Sequence, residues 1–281
     1  MQRVLGRLTL RWEAWVGGLL LALTLGAALL GPLLAPYPFD AIRPTDSFRP
    51  PSPQHLFGTD DLGRDLCSRV LVGARISLAV GLAALTLALG LGLLLGLASG
   101  FVGGWADTLL MGLVEVLLAF PGILLALAIG SILGPGLIGA ALAIGIAGAP
   151  GVARLVRSMV LTVRGQDYVL AARALGVPSA RILRLTVLPN VAGPIIALAT
   201  VLVPGVLLAA AGLAFIGLGA QPPVPEWGAL LVAGRLDLAT APWLAIFPGL
   251  ALFLTVLGAT LFGQALRDVL DPRTYSGLRK D

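Results

Sequence analysis

No charged residue interrupts the sequence from Val116 to Ala153. As one helix rising ~1.5 Å per residue, this run would be nearly twice as long as the ~30 Å hydrocarbon core of a bilayer. Gly134-Pro135-Gly136 supplies a turn that divides it into two membrane-spanning halves. The rest of the chain agrees: it is 58% hydrophobic and 12% charged, with a mean hydropathy of +0.97. Soluble domains carry about 25% charged residues, so this sequence cannot supply a water-facing surface. An all-α, polytopic integral membrane protein follows.

Six spans are expected. Trp15 to Ala35 follows Arg3, Arg7 and Arg11; a signal peptide is the alternative, but its apolar core would be only about 7–15 residues long, so an uncleaved first span is expected. Residues 37–75 are polar and proline-rich, and the uncharged stretch from Ile76 to Phe101 is the second span. Within it Gly92, Gly96 and Gly100 line one helix face, allowing close approach by another helix, either within the bundle or from another subunit. A third span begins at Asp107 and contains Glu115, and the fourth ends near Ala153. Residues 154–190, with six arginines, read as an extramembrane segment. The fifth span lies within Val191–Leu218, bent at Pro204, and the sixth occupies Trp243–Leu266. In domain terms, residues 1–75 form an N-terminal arm, first span and external loop; residues 76–281 form the transmembrane domain proper.

The charges orient this array. With both termini inside, thirteen basic residues lie in cytoplasmic segments and six outside, as the positive-inside rule expects. The net charge of +5 is used there: no basic cluster is interleaved with exposed aromatics, so no nucleic-acid partner is expected. Cys67 and His55 are the sole cysteine and histidine, which rules out an intrachain disulfide and multi-histidine zinc motifs. Cys67, in the external segment, is expected to be open to thiol reagents unless the segment packs it away. The only lysine, Lys280, precedes Asp281, so no P-loop exists. Any energy from ATP would have to come from another subunit, and no cofactor or metal is implied.

Residues 167–190 read as a helix–turn–helix, with an ordinary amphipathic surface helix as the alternative. Asp167 can cap the first helix, and Gly176 can take the left-handed conformation that ends it. Pro178-Ser179 suits the start of a second short helix, terminated at Pro189.

The spacing Ala171-Ala172, Gly176, Leu188-Pro189 resembles the cytoplasmic coupling loop of bacterial ABC importer permeases. His55-Leu-Phe-Gly-Thr-Asp-Asp-Leu-Gly-Arg-Asp65, Gly73-Ala-Arg-Ile-Ser77, Gly103-Gly-Trp-Ala-Asp107, Phe215-Ile-Gly-Leu-Gly-Ala-Gln-Pro-Pro223, Trp227-Gly-Ala229, Ala241-Pro-Trp243, Phe247-Pro-Gly249 and Leu266-Arg-Asp-Val-Leu-Asp-Pro272 are similar to the dipeptide/oligopeptide/nickel permease family. The order is that of the second permease subunit type. The resemblance implies a type I permease fold and an ATP-driven import function for peptides or a similar small solute. It further implies a sister permease, two ATP-binding cassette ATPase subunits, an extracytoplasmic solute-binding protein and a place in the bacterial inner membrane. Leu170, Ala171, Ala172, Leu175, Gly176, Leu188 and Pro189 are then the residues expected to couple to the ATPase. Leu170 stands where the family usually has Glu, and Thr186 where peptide permeases often have His.

Glu115 is the one charge well inside a span. Such a carboxylate faces the bundle or a water-filled cavity, so it lines the translocation path or makes a structural polar contact. An ion-coupled secondary transporter is the alternative function, but it would need several intramembrane ionisable groups. An intramembrane enzyme would need a nucleophile–base or metal constellation, for which one His and one Cys are too few.

Overall fold

The computed structural model describes residues 11–270. Within them the chain is helical, with one isolated bridge between Thr59 and Asp65. The helices are α1 (Trp12–Leu34), α2 (Leu66–Val102), α3 (Gly104–Leu118), α4 (Gly122–Leu133), α5 (Leu137–Arg164), α6 (Asp167–Ala174), α7 (Ser179–Ile182), α8 (Leu188–Phe215), α9 (Trp227–Gly234) and α10 (Trp243–Leu270). Five are long and apolar enough to cross a membrane, and the bent pair α3–α4, counted as one span, brings the number to six. Arg3, Arg7 and the Asp271-Pro272 end of the last motif lie outside the described residues.

Three expectations need correction. The third span is not continuous. The chain bends by 92° between α3 and α4, because Pro121 lacks the N–H that would continue the helix and disfavours helical geometry at Phe120. The fourth span does not end at Ala153: α5 continues to Arg164, so Arg154, Arg157 and Arg164 belong to a membrane helix rather than a loop. The helix into the second span starts at Leu66, so α2 runs unbroken through residue 75 and joins the arm to the transmembrane domain.

Packing is closest between α2 and α5. An added Cβ on Gly96 would lie 2.6 Å from the Ala153 carbonyl oxygen, and one on Gly92 2.5 Å from the Val152 side chain. The glycine stripe of the second span is therefore occupied from within this chain. Outer helices α1 and α10 meet in the same way, where a Cβ on Gly17 would lie 2.5 Å from the Phe262 amide. Thr24 and Thr255 hydroxyls bond to each other between them at 3.1 Å.

The chain has two faces. Arg11 and Asp268 form an ion pair, which puts the described ends of α1 and α10 together on the face that also carries α6 and α7. Residues 35–65 and 216–242 lie on the opposite face, where polar contacts build a rigid plate. Asp65 caps α2 by accepting from the Ser68 amide and hydroxyl at 2.8 Å, and its other oxygen meets His55 Nδ1 at 2.8 Å. Asp60 pairs with Arg64 at 2.6 Å. Phe57 stacks on Phe247 with centroids 4.0 Å apart, and Trp243 donates to the Thr59 carbonyl. Helix α9 docks on α2 through Glu226, which is buried, accepts from Ser77 and caps its own helix at Gly228 and Ala229. The motifs at 55–65, 73–77, 227–229, 241–243 and 247–249 thus meet in one layer, whereas Gly103–Asp107 lies toward the opposite face with Arg157. Cys67 is buried within it and is not a natural surface reporter.

Candidate coupling site and its anchorage in the bundle

The segment after α5 folds from local rules. Helix α6 starts at Asp167, whose carboxylate lies in the first turn, where negative charge complements the helix dipole. The N-cap is Gln166 without a side-chain bond, so Asp167 is the first helical residue and not the cap. Gly176 has φ +77°. Its amide donates to the Arg173 carbonyl and the Val177 amide to the Ala172 carbonyl, the two bonds of a Schellman stop. Nothing lies within 4 Å of a Cβ placed on Gly176, so its requirement is conformational only. Pro178 then opens α7.

Pro189 does not terminate the second short helix. α7 passes through a π-helical turn, Leu183–Val187, directly into α8. Proline in a helix removes one backbone bond and crowds the carbonyl four residues earlier. Here the Leu188 amide reaches back five residues to the Leu183 carbonyl, and the wider turn makes room for the ring. The 167–187 segment is thereby continuous with the fifth span. A proline inside an apolar run was the available signal, but the sequence does not distinguish a stop from a π turn.

The apolar residues of the segment divide between two tasks. Val169, Ile182 and Val187 are completely buried in a cluster with Val152, Val156 and Val160 of α5 and Val191 of α8, and Ala172 packs against it. Leu170 and Leu175 point outward, 50% and 84% exposed, and Ala171 and Gly176 are exposed too. Leu188 is half-buried and Pro189 exposed, both at the start of α8. Of the seven expected coupling residues, the structure gathers Leu170, Ala171, Ala172, Leu175 and Gly176 on α6 and its stop. Leu188 and Pro189 stand apart on the span helix.

Charged contacts unforeseen in the sequence tie this segment to the spans. Arg157 grips Asp107 through two bonds of 2.6 Å, and Ser99 also donates to Asp107, joining α2, α3 and α5. Arg164 donates to the Gly100 carbonyl at 3.2 Å, while the Arg173 guanidinium stacks 5.9 Å above the Phe101 ring. The end of α5, from which α6 hangs, is therefore held to the ends of both α2 and α3.

Glu115 lies in the last turn of α3 and is exposed. It is remote in sequence from α6 and belongs to the broken span. Among the described residues no group of three or more His, Cys, Asp or Glu side chains could hold a metal.

Comparison with known proteins gives consistent matches. Residues 72–275 match a family profile described as binding-protein-dependent transport system inner membrane component. The chain is 44% identical over 263 residues to a dipeptide transport system permease protein of Alkalihalophilus pseudofirmus, covering 94% of this chain and 86% of that one. It is 46% identical over 261 residues to a glutathione transport system permease protein of Shigella flexneri and 44% identical to its Escherichia coli counterpart. Each match covers 92% of this chain and 86% of the relative.

Proposed function

This chain belongs to the family of binding-protein-dependent transport system inner membrane components, and on that premise we propose how it works as the permease subunit of an ABC importer for peptides. It forms one half of the membrane path, and a sister permease supplies the other. An extracytoplasmic binding protein delivers the peptide, and two ATPase subunits drive the cycle. Relatives named for dipeptides and for glutathione support a short peptide or peptide-like solute. The chain carries no catalytic centre of its own. Its termini and residues 165–187 face the cytoplasm, and the plate of 35–65 with 216–242 faces outward, as the distribution of basic residues supports.

The observation that carries this reading is the two-sided coupling segment. Extramembrane α6 anchors Val169 in the core of its own bundle, yet exposes Leu170 and Leu175. Exposed leucines on a water-facing helix mark a protein contact, and an ATPase groove that receives them can push on α5 and α8 together. Nucleotide shifts the transport equilibrium only through contacts that differ between states, and a helix continuous with a span is a direct way to provide them. Leu175→Glu tests the reading in the assembled importer. We expect loss of ATPase co-purification and of peptide uptake, with the sister permease still bound. Full ATPase retention by Leu175→Glu would refute this docking surface.

A further inference from the structure

The break between α3 and α4 leaves three features in one place. Helix α3 ends at Leu118, and the carbonyl oxygens of Leu118, Ala119 and Phe120 accept no hydrogen bond from the described residues. A helix C-terminus carries a partial negative charge. Glu115, in that same last turn, adds a full one, although cations are the favoured residues at this position. Glu115 is exposed and makes no hydrogen bond or ion pair within the described chain. The Arg157 guanidinium is committed to Asp107 by two bonds.

The depth of this place follows from packing. Val114 shares a buried cluster with Met111 and Ala153, against which Leu95 and Leu118 pack. Leu95 stands seven residues from the end of α2 and Ala153 eleven from the end of α5, roughly 10 and 16 Å into the helical bundle. Free carbonyls and a carboxylate at such a depth are not tolerated against lipid. They require a polar cavity or a polar partner. Discontinuous helices use such ends to hold ions and charged groups of substrates.

We propose that the C-terminal end of α3, with the Glu115 carboxylate and the Leu118, Ala119 and Phe120 carbonyls, is a cation site on the translocation path that receives the primary ammonium group of the passing peptide. The inference rests on the importer reading above. A peptide's ammonium group offers three N–H donors and a positive charge, which one carboxylate and a fan of carbonyls complement. A weak site suits transit, because the peptide must also leave.

The experiment uses the whole importer in proteoliposomes, with binding protein outside, ATP inside and alanyl-alanine as probe. Uptake by the wild-type complex tests the importer reading itself. In a Cys67→Ala background, Glu115→Gln is expected to lower uptake at least tenfold, with unchanged thermal stability, sister-subunit retention and basal ATP hydrolysis. Glu115→Cys is expected to be equally slow and to react with water-soluble methanethiosulfonates. The sulfonatoethyl adduct, which restores a negative charge, should recover uptake; the trimethylammonium adduct should not. Wild-type uptake by Glu115→Gln, or a thiol at 115 that neither reagent reaches, overturns the proposal. Loss of the sister permease from Glu115→Gln also overturns it, by assigning the carboxylate to a basic side chain of that subunit.

Discussion

Gly176 sets the stop of α6, and with it the angle of the proposed coupling turn, through the conformation of one residue. Its φ of +77° is a region where a side chain costs about 1–2 kcal/mol, and the open space around its Cβ position removes any steric contribution. The cost of replacing it should thus follow backbone preference alone. Gly176→Asn, a residue that tolerates the left-handed region, should keep most uptake activity. Gly176→Val should lose most of it at normal membrane abundance, with ATP hydrolysis reduced or uncoupled from transport. Gly193→Ala, on α8 with nothing within 4 Å of its Cβ, is the control. Uptake assayed with ATP hydrolysis in the same vesicles checks the order. Equal activity of the Asn and Val variants would place the coupling turn elsewhere.

Among the elements, α2 and α5 form the fixed spine, and the glycine stripe sets their distance. A Cβ at Gly96 would stand 2.6 Å from a backbone oxygen of α5 and 2.7 Å from Val156 Cβ, contacts that backbone atoms cannot escape without separating the helices. Overpacking of this kind costs about 1–3 kcal/mol. Gly96→Val should therefore lower the melting temperature of the detergent-solubilised complex by several degrees. Gly90→Val, on the same helix with nothing within 4 Å, should leave it unchanged. Melting followed by intrinsic fluorescence separates the two. The spine's rigidity gives α3, joined to it through Asp107 and Arg157, a firm base, while the break at Phe120-Pro121 lets α4 take its own direction against α5 and α8.

At the scale of the whole molecule, the two faces differ in construction. The plate of residues 35–65 and 216–242 is knit by buried polar groups such as His55, Asp65 and Glu226; the opposite face is tied by arginines that reach helix ends. The orientation can be read with introduced thiols in a Cys67→Ala background. Leu236 and Leu175 are 81% and 84% exposed and lie on opposite faces. In intact cells a membrane-impermeant maleimide should label Leu236→Cys and spare Leu175→Cys, and permeabilisation should expose both. The reverse pattern would invert the topology.

Much of this was legible in the chain because the bilayer is a severe solvent. It forces backbone bonds to close within helices, so uncharged runs report spans directly. Gly176 was legible because a Schellman stop is a local device. The long-range contacts were not. Nothing in the residues around Ser77 announces Glu226, 149 positions away, and Asp107 and Arg157 meet across 50. Arginines 154, 157 and 164 read as loop residues, since a charge in a span is costly unless the fold supplies an acid or carbonyl, and for Arg157 and Arg164 the fold does. Proline shows that a helix is disturbed but not how. At Pro121 the chain breaks, whereas at Pro189 a π turn absorbs the missing donor and carries the helix on. Local sequence determined which segments are apolar enough to enter the membrane and where α6 stops. Tertiary packing alone decided which glycine face meets which helix, and that the end of α3, with its exposed Glu115, lies beside Leu95 of α2 and Ala153 of α5.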